Sequence, residues 1–339
     1  MAYLFTHFTS DAAGDMEKIW FAVSYDGLHW QDVGGDEPVL TSKVGTKGIR
    51  DPFIVYDEEL KKYFIIATDL NTASWDWEAF ATKGSRSLLV WESEDLINWS
   101  EERLIEVGIP EAGCVWAPEA VYCKEKDMWF VFFASNVKES GDTEPKQRIY
   151  GTFTKDFKEF TETFKYIDGE TALIDTNIVW DNGWYYRFTK DETNKNIIIE
   201  RSKNLVSDDY ERIHSETLDN FFGLEGPEAY YLDDKQMWCL IADQYHGNKG
   251  YTPFLAKDIS SGDFKQLAPE EFDMGERKKR HGGVGLLYNV VAGRANGNEG
   301  LALLVCALER AHRGELGSRF VVSGCENTAA ALPDRKSVV

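Results

Sequence analysis

The residues best placed to do chemistry in this chain are carboxylates at the openings of apolar runs. In Ile49-Arg50-Asp51-Pro52-Phe53-Ile54-Val55 an aspartate, held between an arginine and a proline, leads straight into a β-like segment. Proline fixes its own φ and biases the residue before it toward an extended conformation, so Asp51 is expected where a loop enters a strand, with few orientations open to it. That is a good mount for a catalytic carboxylate, and it is equally the description of a plain strand-entry turn. Three further runs open in the same way: Val115-Trp116-Ala117-Pro118-Glu119, Ile174-Asp175-Thr176-Asn177 and Glu225-Gly226-Pro227-Glu228. Asp175 also suits bonding turn amides ahead of Asn177. Glu228 competes with Glu225, but if residues 228–231 run as a strand, Glu225 is the nearer to its mouth.

The elements that must position these groups read as strands. Runs of four to eight aromatic and β-branched residues, at 3–8, 20–24, 63–68, 88–92, 129–134 and 196–200, alternate with Gly, Asp, Asn and Lys turns, and a helical period is almost absent before residue 290. A polar turn recurs after an aromatic strand. Ser24-Tyr25-Asp26-Gly27-Leu28-His29-Trp30 is answered by Ser93-Glu94-Asp95-Leu96-Ile97-Asn98-Trp99, with weaker echoes at Thr154-Lys155-Asp156, Ser202-Lys203-Asn204 and Ala256-Lys257-Asp258. Five such units predict radial repetition, an all-β five-bladed β-propeller of four-stranded blades, with an ordinary sandwich as the other arrangement. In a propeller the first strand of each blade lines the central channel, so the carboxylates would converge on one axis.

Only four openings precede residue 270. The fifth is Arg280-His281-Gly282-Gly283-Val284, whereas residues 3–33 read as the second, third and fourth strands of a blade lacking its first. The ring is therefore expected to close by the N-terminal strands pairing with the strand near residues 280–290, which removes open sheet edges. Residues 1–290 form the catalytic domain in this reading. The segment 291–339 contains a single aromatic residue, Phe320, and is read as a non-family tail, artefactual or disordered.

A formal charge of −21, spread along the chain, opposes binding to nucleic acid and to anionic membranes. Five cysteines without CxxC spacing fit reduced thiols, the first residues lack the pattern of a secretory signal, and no run of about 18 apolar residues offers a membrane span, so a cytoplasmic location is expected.

Taken together, Arg50-Asp51-Pro52, Trp116-Ala117-Pro118-Glu119, Ile174-Asp175-Thr176-Asn177, Glu225-Gly226-Pro227 and Arg280-His281-Gly282, in that order, resemble glycoside hydrolase family 43 over about residues 3 to 287. The resemblance implies a five-bladed propeller that hydrolyses arabinosyl or xylosyl linkages with inversion, with Asp51 as general base, Glu225 as general acid and Asp175 orienting the acid and raising its pKa. Inversion needs an acid and a base roughly 6.5 to 9.5 Å apart, and a neighbouring carboxylate raises an acid's pKa by like-charge repulsion. The resemblance implies no required cofactor, and at most a structural Ca2+ in the channel near His281, which is equally a core histidine. No His/Asp/Glu cluster has the spacing of a catalytic metal site.

For the sugar, the candidates beside these groups are Arg50, Phe53, Trp116 and Phe222, with Glu119 as a structural or hydroxyl-binding carboxylate and Trp75 and Trp77 as a distal wall. Arg187, a cation inside an aromatic strand, must be paired, and Glu225 or a sugar hydroxyl is the expected partner. The expected activity is exo-acting hydrolysis of α-L-arabinofuranosyl or β-D-xylosyl linkages in plant-derived oligosaccharides. A retaining fructosidase of related fold is disfavoured by the lack of a Trp-Met-Asn-Asp-Pro motif and of a Glu-Cys pair; a non-catalytic carbohydrate-binding propeller is the third reading.

Overall fold

The computed structural model describes residues 2–9 and 17–287; the segment read as a tail lies outside them. Among the described residues the strands form five four-stranded antiparallel sheets. Their innermost strands are Ile49–Asp57, Trp116–Cys123, Leu173–Asp181, Glu225–Leu232 and Gly282–Leu287, opening blades one to five. Each innermost strand touches the next, and that of blade five touches that of blade one, so the ring is closed. Blade five is composite as expected: Ala2–His7 pairs with Gly282–Leu287 from Ala2 opposite Leu287 to His7 opposite Gly282, and Trp20–Ser24 and Trp30–Val33 complete it.

The apolar residues sort into five clusters, one at each interface between blades. Leu4, Phe21, Ile54, Ile65 and Trp91 fill the seam between blades five and one, and Phe188, Ile199, Leu240 and Phe254 that between three and four. A blade is thus covered on both faces, which is why its inner strands are apolar runs and not alternating ones. Alternation appears only at the rim, as in Arg103–Glu106, where more and less exposed residues take turns.

The recurrent polar turn joins the third strand of every blade to its fourth. Asp26 Oδ1 accepts from the amides of Leu28 and His29, Asp95 Oδ1 from Ile97 and Asn98, and Asp156 Oδ1 from Lys158 and Glu159, at 2.7–3.3 Å. The serine or threonine two residues earlier accepts a further amide in each of these three turns. These side chains do the capping that a tight turn leaves undone, which explains why their spacing shows through in the sequence.

Candidate active site

The inner strands of blades one to four share a defect at their openings. The ladder skips between Arg50 and Phe53, Trp116 and Glu119, Ile174 and Thr176, and Glu225 and Glu228. At each bulge one residue is left-handed: Asp51 (φ 48°), Ala117 (48°), Asp175 (51°) and Gly226 (51°). Asp51 is therefore not extended ahead of Pro52 as expected. The bulge turns it out of the ladder, and aspartate is among the few residues that tolerate this backbone. In blades one and three the bulged residue is itself the carboxylate; in blade four it is glycine and the carboxylate stands one residue earlier, at Glu225.

These bulges bring Asp51, Asp175 and Glu225 to one end of the channel around His281. The His281 Nδ1 lies 3.5 Å from Asp51 Oδ1 and 3.8 Å from Asp175 Oδ1. Asp51 Oδ2 accepts from the Thr68 hydroxyl at 2.8 Å, and that hydroxyl accepts from the Ala117 amide at 2.8 Å, tying blade one to blade two. Asp175 Oδ2 accepts from the Gly226 amide at 3.1 Å, tying blade three to blade four. A Cβ on Gly226 would stand 2.7 Å from the His281 ring and 2.9 Å from the Tyr251 hydroxyl oxygen. Gly226→Ala is accordingly expected to displace His281 and cost about 1–3 kcal/mol, through both the clash and the left-handed backbone; urea unfolding checks it, and an unchanged midpoint would contradict the tight packing.

Glu225 is held between two cations. Lys190 Nζ donates to its Oε2 at 2.9 Å and Arg280 Nη2 to its Oε1 at 3.0 Å. Lys190, 3% exposed, also meets Glu192 at 2.7 Å, and Arg280 also meets the buried Asp243 at 2.7 Å. Burial favours a neutral Glu225, but Lys190 and Arg280 outweigh it and hold the carboxyl at about 2. Burial lifts Asp175 to about 6; His281 and Lys190 oppose that rise, and Glu225 and Asp51 reinforce it. Asp243 is lifted by burial to about 7 against the pull of Arg280. The expectation that Asp175 raises the acid's pKa is thus reversed in the ligand-free protein: two cations claim Glu225, and the raised carboxyl is Asp175.

Deeper in the channel, Glu119 and Glu228 share one amide. Asn177 Nδ2 donates to Glu119 Oε2 at 2.9 Å and to Glu228 Oε2 at 3.0 Å, while Glu228 Oε1 accepts from the Val284 amide at 2.9 Å. Burial and the charge of Glu228 raise Glu119 well above the usual carboxylate range, and burial does the same to Glu228. Glu119 is sealed within this network, and Glu225, not Glu228, stands at the mouth. Phe53 is buried too, over Gly283, where a Cβ would come within 2.5 Å of its ring. Trp116 is half-buried, and Phe222 is 57% exposed with its ring edge-on to His246. Arg50 is buried, pairs with Glu17 at 3.2 Å and lies over Phe8.

Arg187 requires a correction. It pairs with Glu200 at 2.8 Å and stacks over Tyr210 at 3.9 Å, not with Glu225. Residues 187 and 190 are three apart on one strand and so face opposite ways, which gives Glu225 to Lys190. Lys190, Thr68 and Asp243 were missed by sequence reasoning, which named Asn177 only as part of the Ile174-Asp175-Thr176-Asn177 opening. Only Lys190 left a signal, as a second cation in the same aromatic run. Among the described residues no group of three or more His, Cys, Asp or Glu side chains is arranged to hold a metal ion. Around His281 the carboxylates of Asp175 and Glu225 are already engaged with an amide or with cations, a poor fit to the Ca2+ expected there.

A closed five-bladed ring with three acidic side chains on bulged strand openings at one end of its channel is an arrangement suited to acid–base chemistry on a bound ligand. The chain belongs to the family described as a probable glycosyl hydrolase domain, related to glycoside hydrolase family 43, whose model matches residues 1–289. It is 33% identical over 234 residues to an α-L-arabinofuranosidase of Bifidobacterium longum subsp. longum, an alignment covering 60% of this chain and 22% of that protein, so the chain spans less than a quarter of that relative's length. Among solved structures, a family 43 β-1,3-galactosidase with galactodeoxynojirimycin superposes with a TM-score of 0.53 at 11% identity, over 82% of this chain and 91% of that one. The catalytic domain of a family 62 α-L-arabinofuranosidase from Coprinopsis cinerea superposes with a TM-score of 0.50 at 15% identity, over 70% of this chain and 74% of the other. At these identities the two structures speak for the fold alone.

Proposed function

We propose that this domain is an inverting glycoside hydrolase that releases α-L-arabinofuranosyl units from plant-derived oligosaccharides, with β-D-xylosyl linkages as the second candidate. The observation that carries this reading is the convergence of Asp51, Asp175 and Glu225 on one channel mouth, each on a bulged opening of a different blade. Asp51 is the general base: its carboxylate is oriented by Thr68 and positioned to activate water. Glu225 is the general acid. Lys190 and Arg280 hold it anionic, whereas Asp175, lifted by burial to about 6, takes up a proton before it as pH falls. A sugar entering the mouth offers hydroxyls to Lys190 and Arg280, excludes water and loosens their hold on Glu225, whose carboxyl then rises toward the value a proton donor needs. The titration belongs to the coupled group and not to one residue.

The Bifidobacterium relative's activity supports the arabinofuranosyl assignment, and the chain's −21 charge suits a neutral ligand better than an anionic one. Exo action stands with this proposal. Cys114, Cys123 and Cys239 are buried and unbridged, which supports a reducing, cytoplasmic setting. No step requires a metal. Steady-state assays with nitrophenyl α-L-arabinofuranoside, β-D-xyloside and β-D-galactoside test the assignment: the arabinofuranoside should have the highest kcat/KM, and turnover confined to the galactoside would overturn it.

A further inference from the structure

We propose that Trp75 and Trp77 form a platform for the third and later sugar residues, beyond the two joined by the bond that is cut, so that the substrate is a neutral oligosaccharide longer than a disaccharide. The inference rests on the glycosidase reading above and adds a subsite to it.

Both indoles are open to solvent, Trp75 at 55% and Trp77 at 40%. Their rings lie 6.5 Å apart, and Trp77 meets Phe80 at 5.7 Å and Trp116 at 6.4 Å. The short helix Trp77–Lys83 that carries Trp77 and Phe80 buries none of its residues, so these rings add little to the core. A contiguous exposed aromatic patch of this kind marks a binding surface. Trp75 also holds a left-handed backbone, with φ 54°, as Leu96 and Phe157 do in the polar turns, so the loop beneath it must impose that conformation.

The surroundings here are unusually firm. The buried carboxylate of Glu17 accepts from the Thr72 amide at 3.0 Å, from the Thr72 hydroxyl at 2.6 Å and from Arg50 Nη1 at 3.2 Å. The Trp75 amide donates to the Thr72 carbonyl at 2.9 Å, and Asp76 caps the helix through the Ala79 amide at 3.0 Å. The loop is thus clamped from below while its indoles remain uncovered, as preorganised binding requires.

Continuity with the catalytic groups identifies the occupant. Trp77 touches Trp116, whose neighbour Ala117 donates to Thr68, which donates to Asp51. Arg50, next to Asp51 in sequence, places its guanidinium 5.5 Å from the Trp77 ring centre. A chain whose terminal unit sits against Asp51 would lay its third and later rings over this patch, the CH face of a sugar against the indole and its hydroxyl edges toward Arg50 and water.

The test compares kcat/KM on a disaccharide and a tetrasaccharide of the same linkage for the unmodified protein, Trp75→Ala and Trp75→Gly. The unmodified protein should favour the tetrasaccharide by about tenfold, and both variants should lose that preference while keeping disaccharide turnover and melting temperature. Glycine removes the backbone strain along with the ring, so Trp75→Gly should be at least as stable as Trp75→Ala. Equal loss on both lengths, or a preserved tetrasaccharide preference, would overturn the platform. If the unmodified protein hydrolyses neither sugar, the glycosidase reading fails by itself. Quenching of indole fluorescence by the tetrasaccharide, present in the unmodified protein and weakened in Trp75→Gly, still reads the platform, and the lack of any difference overturns it.

Discussion

Replacing Glu225 with glutamine should cut turnover on arabinosides with poor, alkoxide leaving groups by roughly a hundredfold to ten-thousandfold, the usual contribution of a positioned proton donor. A nitrophenolate leaves without protonation, so nitrophenyl arabinofuranoside should keep a much larger share of its rate. The contrast follows from chemistry and not from binding, since both substrates present the same sugar to the channel. Glutamine retains the shape of Glu225 and one acceptor oxygen, but it can satisfy only one of Lys190 and Arg280, which now contact separate carboxylate oxygens. A uniform loss on both leaving groups would make Glu225 a positioning residue. An unchanged rate on both would point to a propeller that binds sugar without cutting it.

The second large effect belongs to Lys190. Its methionine variant leaves Glu225 with Arg280 alone and withdraws a positive charge from Asp175. Removing one partner of a buried pair leaves an uncompensated charge, and a loss of about 3 kcal/mol in unfolding free energy is expected at pH 8. The sign with pH follows from the direction of the shifts. Asp175 in the folded protein is already lifted to about 6, above its unfolded value, so the stability tied to its proton is full at low pH and is lost as pH rises through 6. Without Lys190 both carboxyls move up, and the variant should recover much of its stability at pH 5. Denaturation of both proteins at pH 5 and pH 8 decides the matter: an equal deficit at the two values would mean that Lys190 acts through packing alone. The same substitution should move the alkaline limb of kcat/KM to higher pH, because the proton is held more tightly.

Much of this architecture is written locally. The Ser/Thr-x-Asp turns that end the third strand of three blades bond amides two and three residues away, so their spacing survives in the chain and reveals the repeat. The composite fifth blade is legible because Arg280-His281-Gly282 opens a strand with no successors and residues 3–33 supply strands with no opening. Asp51 and Glu225 are legible because a proline or glycine next to a carboxylate betrays a strained strand entrance, and Asp175 because it opens an apolar run in the same place in its blade. What escapes the sequence is the charge balance. Lys190 and Arg280 reach Glu225 from 35 and 55 positions away, and no local pattern says which of three neighbouring carboxylates two cations will choose. The left-handed backbone of Asp51 escapes as well, since the rule for residues before proline points to the extended region and the bulge overrides it. Arg187 departs from the expected pairing for a simpler reason: alternation along the strand Trp184–Asp191 puts it on the face opposite Lys190, away from Glu225.

The central claim is that Asp51 activates water on one face of the sugar while Glu225 protonates the leaving oxygen on the other. Proton NMR of the first sugar released from an α-L-arabinofuranoside, recorded before mutarotation, tests it most directly. The account predicts that the β-anomer appears first and the α-anomer grows in later; initial release of the α-anomer would show retention and contradict the assignment of a base and an acid to these two residues.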